Sequence, residues 1–296
     1  MGEISRSKTP AVGQIGVIDI NDSDYPPSLR HIDNPPLKLY YLGNKKLLKN
    51  RAVAVVGSRK CSEYGKQIAM RIGETIGRTR TLVVSGMAKG IDSFAHIGAL
   101  KNDGNTVAVL GCGPDVCYPR ENMKLYEKIK DSGLVLSEYP PGMTPKPYTF
   151  PQRNRIIAGL SEGIVVVEAG IKSGALITAE IGMNQGKEVF AVPGNITSQC
   201  SLGSNKLLVD GARPIAVIDE ILIGLGIEPA AYDRHIEEMG TDEEMVYNAV
   251  KKGGEMTIDE ICSVIERDGI FVSGIVSILE IKGLVAYSLG KVFATR

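Results

Sequence analysis

The sequence predicts an α/β protein: an extended Rossmann-like parallel sheet flanked by helices, followed by a small winged-helix domain. Three observations lead there. Between residues 51 and 226, short runs of Val, Ile, Leu and Ala alternate with segments long enough for a helix. Those runs are apolar at every position rather than at every second one, as strands buried on both faces are. Past a stretch at 227–241 that carries Pro229 and the acidic pair Glu237 and Glu238, the pattern changes to three helices and a hairpin.

The elements follow in order. Residues 1–50 form a lead-in, and its Pro- and Tyr-rich part, 24–44, is expected to strap onto the core. Strands are predicted at Val53–Val56, Leu82–Val84, Val107–Leu110, Leu134–Leu136, Ile164–Val167 and Val189–Val192. Crossover helices are predicted at Tyr64–Gly77, Ile91–Lys101, Asn122–Lys130 and Ala175–Gln185. Strand, helix, strand repeated in this way gives a parallel sheet covered on both faces. After the linker at 227–241, the last domain spans 242–296. Glu243–Lys252 forms its first helix. Thr257 caps a second, with Ile258, Ile261 and Ile265 on one face. Ser273 opens a third. Leu284–Ser288 and Lys291–Thr295 then flank Leu289-Gly290 as a hairpin.

Composition sets the class. Of 296 residues, 43 % are hydrophobic and 23 % charged, as in a globular protein able to bury its own core. No apolar run reaches the roughly 18 residues that cross a bilayer, and the polar first ten residues lack a signal peptide. A cytoplasmic protein without membrane attachment is expected. Five cysteines with no C-x-x-C pair argue against a disulfide framework or a zinc site. The formal net charge of zero hides an asymmetry: 237–296 hold 11 acidic and 6 basic residues, whereas 1–236 hold 28 basic and 23 acidic. A polyanion is expected to meet the first part of the chain.

In parallel sheets the site lies on the loops beyond the strands' carboxyl ends. The first such loop reads Gly57-Ser58-Arg59. A glycine at the turn lets backbone N–H groups approach an anion, and the following helix points its positive end there. Arg59 adds a two-pronged donor for phosphate. A tight turn with a solvated arginine would read the same way. The second loop, Ser85-Gly86-Met87-Ala88-Lys89-Gly90, repeats the design. The dinucleotide fingerprint is missing, and G-x-x-x-x-G-K-[ST] occurs nowhere. In Phe150-Pro151-Gln152-Arg153-Asn154-Arg155 two arginines flank an amide at a helix start, beside Tyr148 and Phe150. Guanidinium groups for phosphates and rings for bases suit a nucleic-acid strand. One arginine could equally be structural. Ser173-Gly174 close a further loop, which starts at Glu168. Asp92 and His96 share a helix face at the spacing of an acid–base dyad, but a packed pair that pins the loop is the simpler reading.

Taken in order, these loops resemble the DprA/Smf (DNA processing) family. The likeness runs from Tyr25 to about Gly211. It includes Gly57-Ser58-Arg59, Ser85-Gly86-Met87-Ala88-Lys89-Gly90-Ile91-Asp92, Tyr118-Pro119, Phe150 to Ser161, Ser173-Gly174-Ala175-Leu176-Ile177-Thr178 and Ala191-Val192-Pro193-Gly194. The resemblance implies an extended Rossmann fold that binds single-stranded DNA, forms homodimers and hands the strand to a RecA-type recombinase in transformation or recombination. It implies no catalytic activity and no cofactor. Gly57-Ser58-Arg59 and Arg153-Asn154-Arg155 would line the DNA pocket, with Ser85, Gly86, Lys89, Gly90, Phe150, Ser173 and Gly174 around them.

Two features depart from the family pattern. Many members carry an N-terminal helical domain, and only about two dozen residues precede Tyr25 here. The tail resembles the family's winged-helix module, yet its third helix, Ser273–Gly283, carries one Lys and one Glu. A protein contact is expected of it rather than duplex binding. The competing reading is a nucleotide-processing enzyme resembling phosphoribohydrolases of the lysine-decarboxylase-like family. There the same loops would cradle a monophosphate and Glu168 would act as acid or base.

Overall fold

The computed structural model describes residues 14–101, 106–229, 239–282, 284–288 and 290–294. The chain divides into two compact units, Met1–Ala230 and Ala231–Arg296.

The first unit opens with β1 (Gly16–Asp19) and β2 (Lys38–Gly43). The core then alternates through β3 (Ala52–Val56), α1 (Glu63–Gly77), β4 (Leu82–Ser85), α2 (Ile91–Ala99), β5 (Thr106–Leu110), α3 (Met123–Ser132), β6 (Leu134–Ser137), α4 (Thr149–Leu160), β7 (Gly163–Val166), α5 (Gly174–Asn184) and β8 (Glu188–Ala191). It ends with α6 (Leu202–Val209), β9 (Arg213–Pro214) and α7 (Asp219–Gly224). The described strands form one sheet in the order β1-β2-β6-β5-β4-β3-β7-β8-β9. From β6 to β9 every pairing is parallel.

The lead-in does more than strap the core. β2 pairs antiparallel with β6, and β1 with β2, so the lead-in extends the sheet by two strands. Tyr25, between them, is buried and donates to the Pro36 carbonyl at 2.9 Å.

Every residue of β3, β4, β5, β6 and β7 is buried, which accounts for their unbroken apolar runs. One face packs on α1 and α2 through Val53, Val55, Ile72, Ile76 and Ala95. The other packs on α4 and α5 through Ala54, Val56, Ile156, Ile157 and Ala179. Helices α1 and α2 meet backbone to backbone. A Cβ on Gly73 would lie 2.2 Å from the Ala95 carbonyl oxygen, and one on Gly98 would lie 2.0 Å from that of Met70. Among the described residues no helix is long and apolar enough to cross a membrane.

The second unit holds α8 (Thr241–Gly253), β10 (Glu255–Met256), α9 (Ile258–Ile265), α10 (Gly269–Ile281), β11 (Val285–Ser288) and β12 (Lys291–Ala294). Its strands pair in the order β10-β12-β11 around a core that includes Val246, Val250, Ile261, Val272, Val276 and Leu279. Thr257 caps α9 as expected, in a reciprocal capping box with Glu260. The third helix starts at Gly269 rather than Ser273, because Asp268 caps it by accepting the Phe271 N–H at 2.9 Å. Residues 230–238 of the expected linker, His235, and the expected hairpin residues Leu289 and Thr295 lie outside the described residues.

Candidate nucleic-acid interface

From β3 the chain steps outward through β4, β5 and β6, then returns to place β7 on the other side of β3. The loops after β3 and β7 therefore diverge, and a crevice opens between them at the switch point. It holds a cavity of about 830 Å³, of ligand-pocket size, lined by Gly57–Lys60, by Gly170 and Lys172–Ala175, and by the start of α4.

The β3 loop is fixed from both sides. Ser58 N–H donates to the Glu168 carbonyl at 2.6 Å, and Ile91 N–H donates to the Ser58 carbonyl at 3.2 Å. Gly90, at φ +80°, has no room for a side chain: a Cβ would lie 2.2 Å from the Ser58 carbonyl oxygen. Asp92 is buried and gathers the Gly86 N–H at 3.2 Å and the Ala88 N–H at 3.4 Å. Burial pushes its carboxyl upward, against the pull of Arg153 and of these N–H donors. Gly90→Ala is expected to lower stability by at least about 1 kcal/mol, from the left-handed conformation alone. Displacement of Ser58 and Arg59 should accompany the loss. Urea unfolding reads the first effect and DNA binding the second.

The two arginines part company. On a helix, residues two apart point in nearly opposite directions. Arg153 turns inward and is only 4 % exposed. It donates to the carbonyls of Val109 and Gly86 (the latter at 3.0 Å) and to the Asn154 amide oxygen at 3.3 Å. Burial lowers its pKa to about 10. A Cβ on Gly86 would lie 2.4 Å from its guanidinium, so that glycine makes room for it. Arg153 still forms part of the cavity floor. Arg155 lies outside the cavity. It pairs with Glu138 at 2.5 Å and donates to the Asn34 carbonyl at 3.0 Å, tying α4 to the lead-in.

Of the other candidates, Gly57, Ser58, Arg59, Phe150, Asn154, Ser173 and Gly174 line the cavity. Ser173 caps α5 by accepting the Ala175 N–H, and Asn154 donates to the Gly174 carbonyl at 3.3 Å, joining α4 to α5. Ser85, Gly86, Lys89 and Gly90 support the site from outside. Ser85 donates to the Val55 carbonyl at 2.6 Å, and Lys89 pairs with Glu121 at 2.5 Å.

The cavity is cationic and aromatic. Arg59, Lys60, Lys146 and Lys172 line it, and among the described residues none of them forms an ion pair. Among the described residues one carboxylate, Asp92, is on the lining, and it is turned to the backbone. The Arg59 guanidinium sits 5.3 Å from the centre of the Phe150 ring, and Tyr118 lies 5.4 Å from that ring on its other contact. Helices α4 and α5 both start at the wall and add their positive ends. The sequence reading missed Lys60, Lys146 and Lys172 as site residues and used Tyr118 only as part of the family likeness. Lys146 stands between two prolines beside Tyr148, and Lys172 sits within the Glu168–Gly174 loop.

Asp92 and His96 do not pair. His96 Nδ1 meets the Thr106 hydroxyl at 2.6 Å, while Asp92 bonds the loop without it. Glu168 serves the backbone: its carboxylate accepts from the Ser62 hydroxyl at 2.5 Å and the Ser62 N–H at 2.8 Å, at the start of α1.

Fold and site together define a Rossmann-like α/β protein with a cationic, aromatic cavity at the switch point of its sheet. The family described as DNA recombination-mediator protein A matches residues 16–226, and the chain belongs to it, the DprA/Smf family. The chain is 46 % identical over 203 residues to DNA processing protein DprA of Streptococcus pneumoniae, covering 69 % of this chain and 72 % of that one. It is 41 % identical over 208 residues to the Bacillus subtilis DprA, covering 70 % of each. Among solved structures, the Streptococcus pneumoniae DprA superposes with a TM-score of 0.67 at 44 % identity, over 72 % of this chain and 75 % of that one. A structure described as giving insight into the single-stranded-DNA binding mode of Helicobacter pylori DNA processing protein A superposes with a TM-score of 0.66 at 30 % identity, over 72 % of this chain and 95 % of that one.

Proposed function

We propose that the chain binds single-stranded DNA in the switch-point cavity and acts as a recombination mediator, as a homodimer that hands the strand to a RecA-type recombinase. One observation carries the reading: four cations without ion-pair partners among the described residues surround a ring pair in a crevice whose carboxylate faces away. Phosphates supply the charge those cations lack, and bases supply rings to stack on Phe150 and Tyr118. The Helicobacter pylori relative, whose structure concerns single-strand binding, supports it. A duplex would need both strands to enter the crevice, whereas one strand can splay its bases into it.

The competing enzymatic reading needs Glu168 free as acid or base. Its carboxylate is instead occupied by Ser62. We read the protein as a binder without catalytic turnover, working in the cytoplasm. We read the second unit, with its acidic excess, as a winged-helix module for protein contact.

Arg59 is exposed and makes no ion pair among the described residues. Arg59→Ala is therefore expected to leave unfolding within about 0.5 kcal/mol of the parent. Its affinity for a labelled single strand should fall about tenfold or more, the weight of a charge-assisted hydrogen bond. The log–log salt slope should shrink by about 0.7. Fluorescence anisotropy over a salt series, with single strand and duplex compared, measures both. Equal affinity for duplex, or an unchanged slope in a folded variant, would refute the reading.

A further inference from the structure

A second hollow, of about 440 Å³, lies next to the β3 loop. The segment after β8 contributes Pro193, Gly194, Asn195, Ser198 and Ser201, and Ser62, Tyr64 and Glu168 face it. The two hollows share one loop: Ser58, Arg59 and Lys60 line the cavity, and Ser62 lines the hollow. The β8 segment also touches both cavity loops. Cys200 Sγ donates to the Lys60 carbonyl at 3.4 Å, and Gly203 N–H donates to the Ala169 carbonyl at 2.7 Å.

The chemistry of the two differs. Among the described residues the hollow is lined by no cation and by one carboxylate, Glu168. A phosphate placed there would meet like charge with nothing to offset it. The hollow offers instead the ring of Tyr64, 49 % exposed, and polar groups with hydrogen bonds to spare. Asn195 uses its amide oxygen on the N–H and hydroxyl of Thr197. Among the described residues its NH₂ group makes no hydrogen bond, nor do the hydroxyls of Tyr64 and Ser198. A flat, uncharged ring with donors and acceptors on its edge matches that set.

We propose that this hollow is a base-binding subsite: it takes the nucleobase of a nucleotide that flanks the phosphate cavity on a bound single strand, stacked on Tyr64 with its edge against Asn195 and Ser198. The proposal rests on single-strand binding in the cavity. Charge then divides the labour, with phosphates held at Arg59 and its neighbours and a base held across the shared loop.

The chain has no tryptophan, so Tyr64→Trp places a single fluorescent reporter in the hollow. The probes are a 15-nucleotide oligothymidylate and an abasic strand of equal length. The thymidylate is expected to quench the tryptophan with the midpoint seen by anisotropy, and the abasic strand to bind without quenching. Tyr64→Ala should weaken the thymidylate about fivefold to tenfold, the scale of one stacking contact, and leave the abasic strand within twofold. Saturating thymidylate without quenching, or equal affinity of Tyr64→Ala and parent for it, overturns the subsite. Failure of the cavity itself looks different: Arg59→Ala then binds both probes as tightly as the parent, or neither probe binds.

Discussion

Replacing Arg153 by methionine is expected to destabilise the first unit by about 3–5 kcal/mol, the cost of breaking a buried charge arrangement from one side. The side chain is 4 % exposed and donates to the carbonyls of Val109 and Gly86. Methionine fills much of the volume but leaves both carbonyls without that donor, at about 1–3 kcal/mol for each one left unsatisfied. It also removes the positive charge that favours the ionised form of buried Asp92. Asp92 would keep its two backbone donors, from Gly86 and Ala88, but would lose its cationic neighbour. The double variant Arg153→Met, Asp92→Asn should therefore be less destabilised than the sum of the two single changes. Denaturant unfolding of the four proteins measures that coupling. Additive effects would mean that the two charges do not sense each other. Arg153→Met should also lose DNA binding, but through a displaced β4 loop. Arg59→Ala differs, losing affinity at full stability.

That contrast marks how far sequence could be read. The strands were legible because a parallel sheet buried on both faces leaves few polar positions in its strands, and β3 reads Ala-Val-Ala-Val-Val. The Gly57 and Gly90 loops were legible because close backbone approach excludes a Cβ, and the structure shows Gly90 against the Ser58 carbonyl. The division of labour between Arg153 and Arg155 was half legible. Their two-residue spacing on a helix forbids a shared face, yet nothing local tells which arginine turns inward. That depends on the carbonyl ends of β5 and the β4 loop, which lie 44 and 67 residues away in the chain. Lys146 and Lys172 escaped notice because a lone lysine in a loop carries no pattern. Only the sheet topology brings their loops to one crevice. The lead-in strands were missed for another reason. β1 is the edge strand and β2 lies next to it, and in both exposed and buried residues mix, so the sequence signal weakens.

His96 gives the second large expectation, and it concerns acid. The four-residue spacing suggests a pair with Asp92, but the helix delivers His96 to β5 instead. There Thr106 donates its hydroxyl hydrogen to the Val83 carbonyl at 2.8 Å. The Thr106 oxygen can then accept from His96, so Nδ1 carries the hydrogen and Nε2 is left bare. Nε2 is buried and has no hydrogen-bond partner among the described residues. A proton added there would find no acceptor and would sit near the Arg153 charge. Burial first, and Arg153 second, push the imidazole from 6.5 down to about 3. The unfolded chain takes up a proton near 6.5 and the folded one does not, so the unfolded state binds more protons between those values. Stability is therefore full above pH 6.5 and falls as pH drops toward 3, by up to about 1.4 kcal/mol per unit. Between pH 7.5 and pH 5, a range chosen to stay above ordinary carboxylate titration, the expected loss is about 2 kcal/mol. His96→Asn keeps an N–H in reach of Thr106 and removes the titrating ring. Urea unfolding at both pH values should show the parent losing this increment and the variant keeping most of it, whatever their absolute stabilities. An equal loss in both would assign the acid sensitivity to other groups. Because α2 also carries Asp92 and follows Gly90, partial opening at this helix would loosen the β3 loop. DNA affinity should then weaken at pH 5 in the parent more than in His96→Asn.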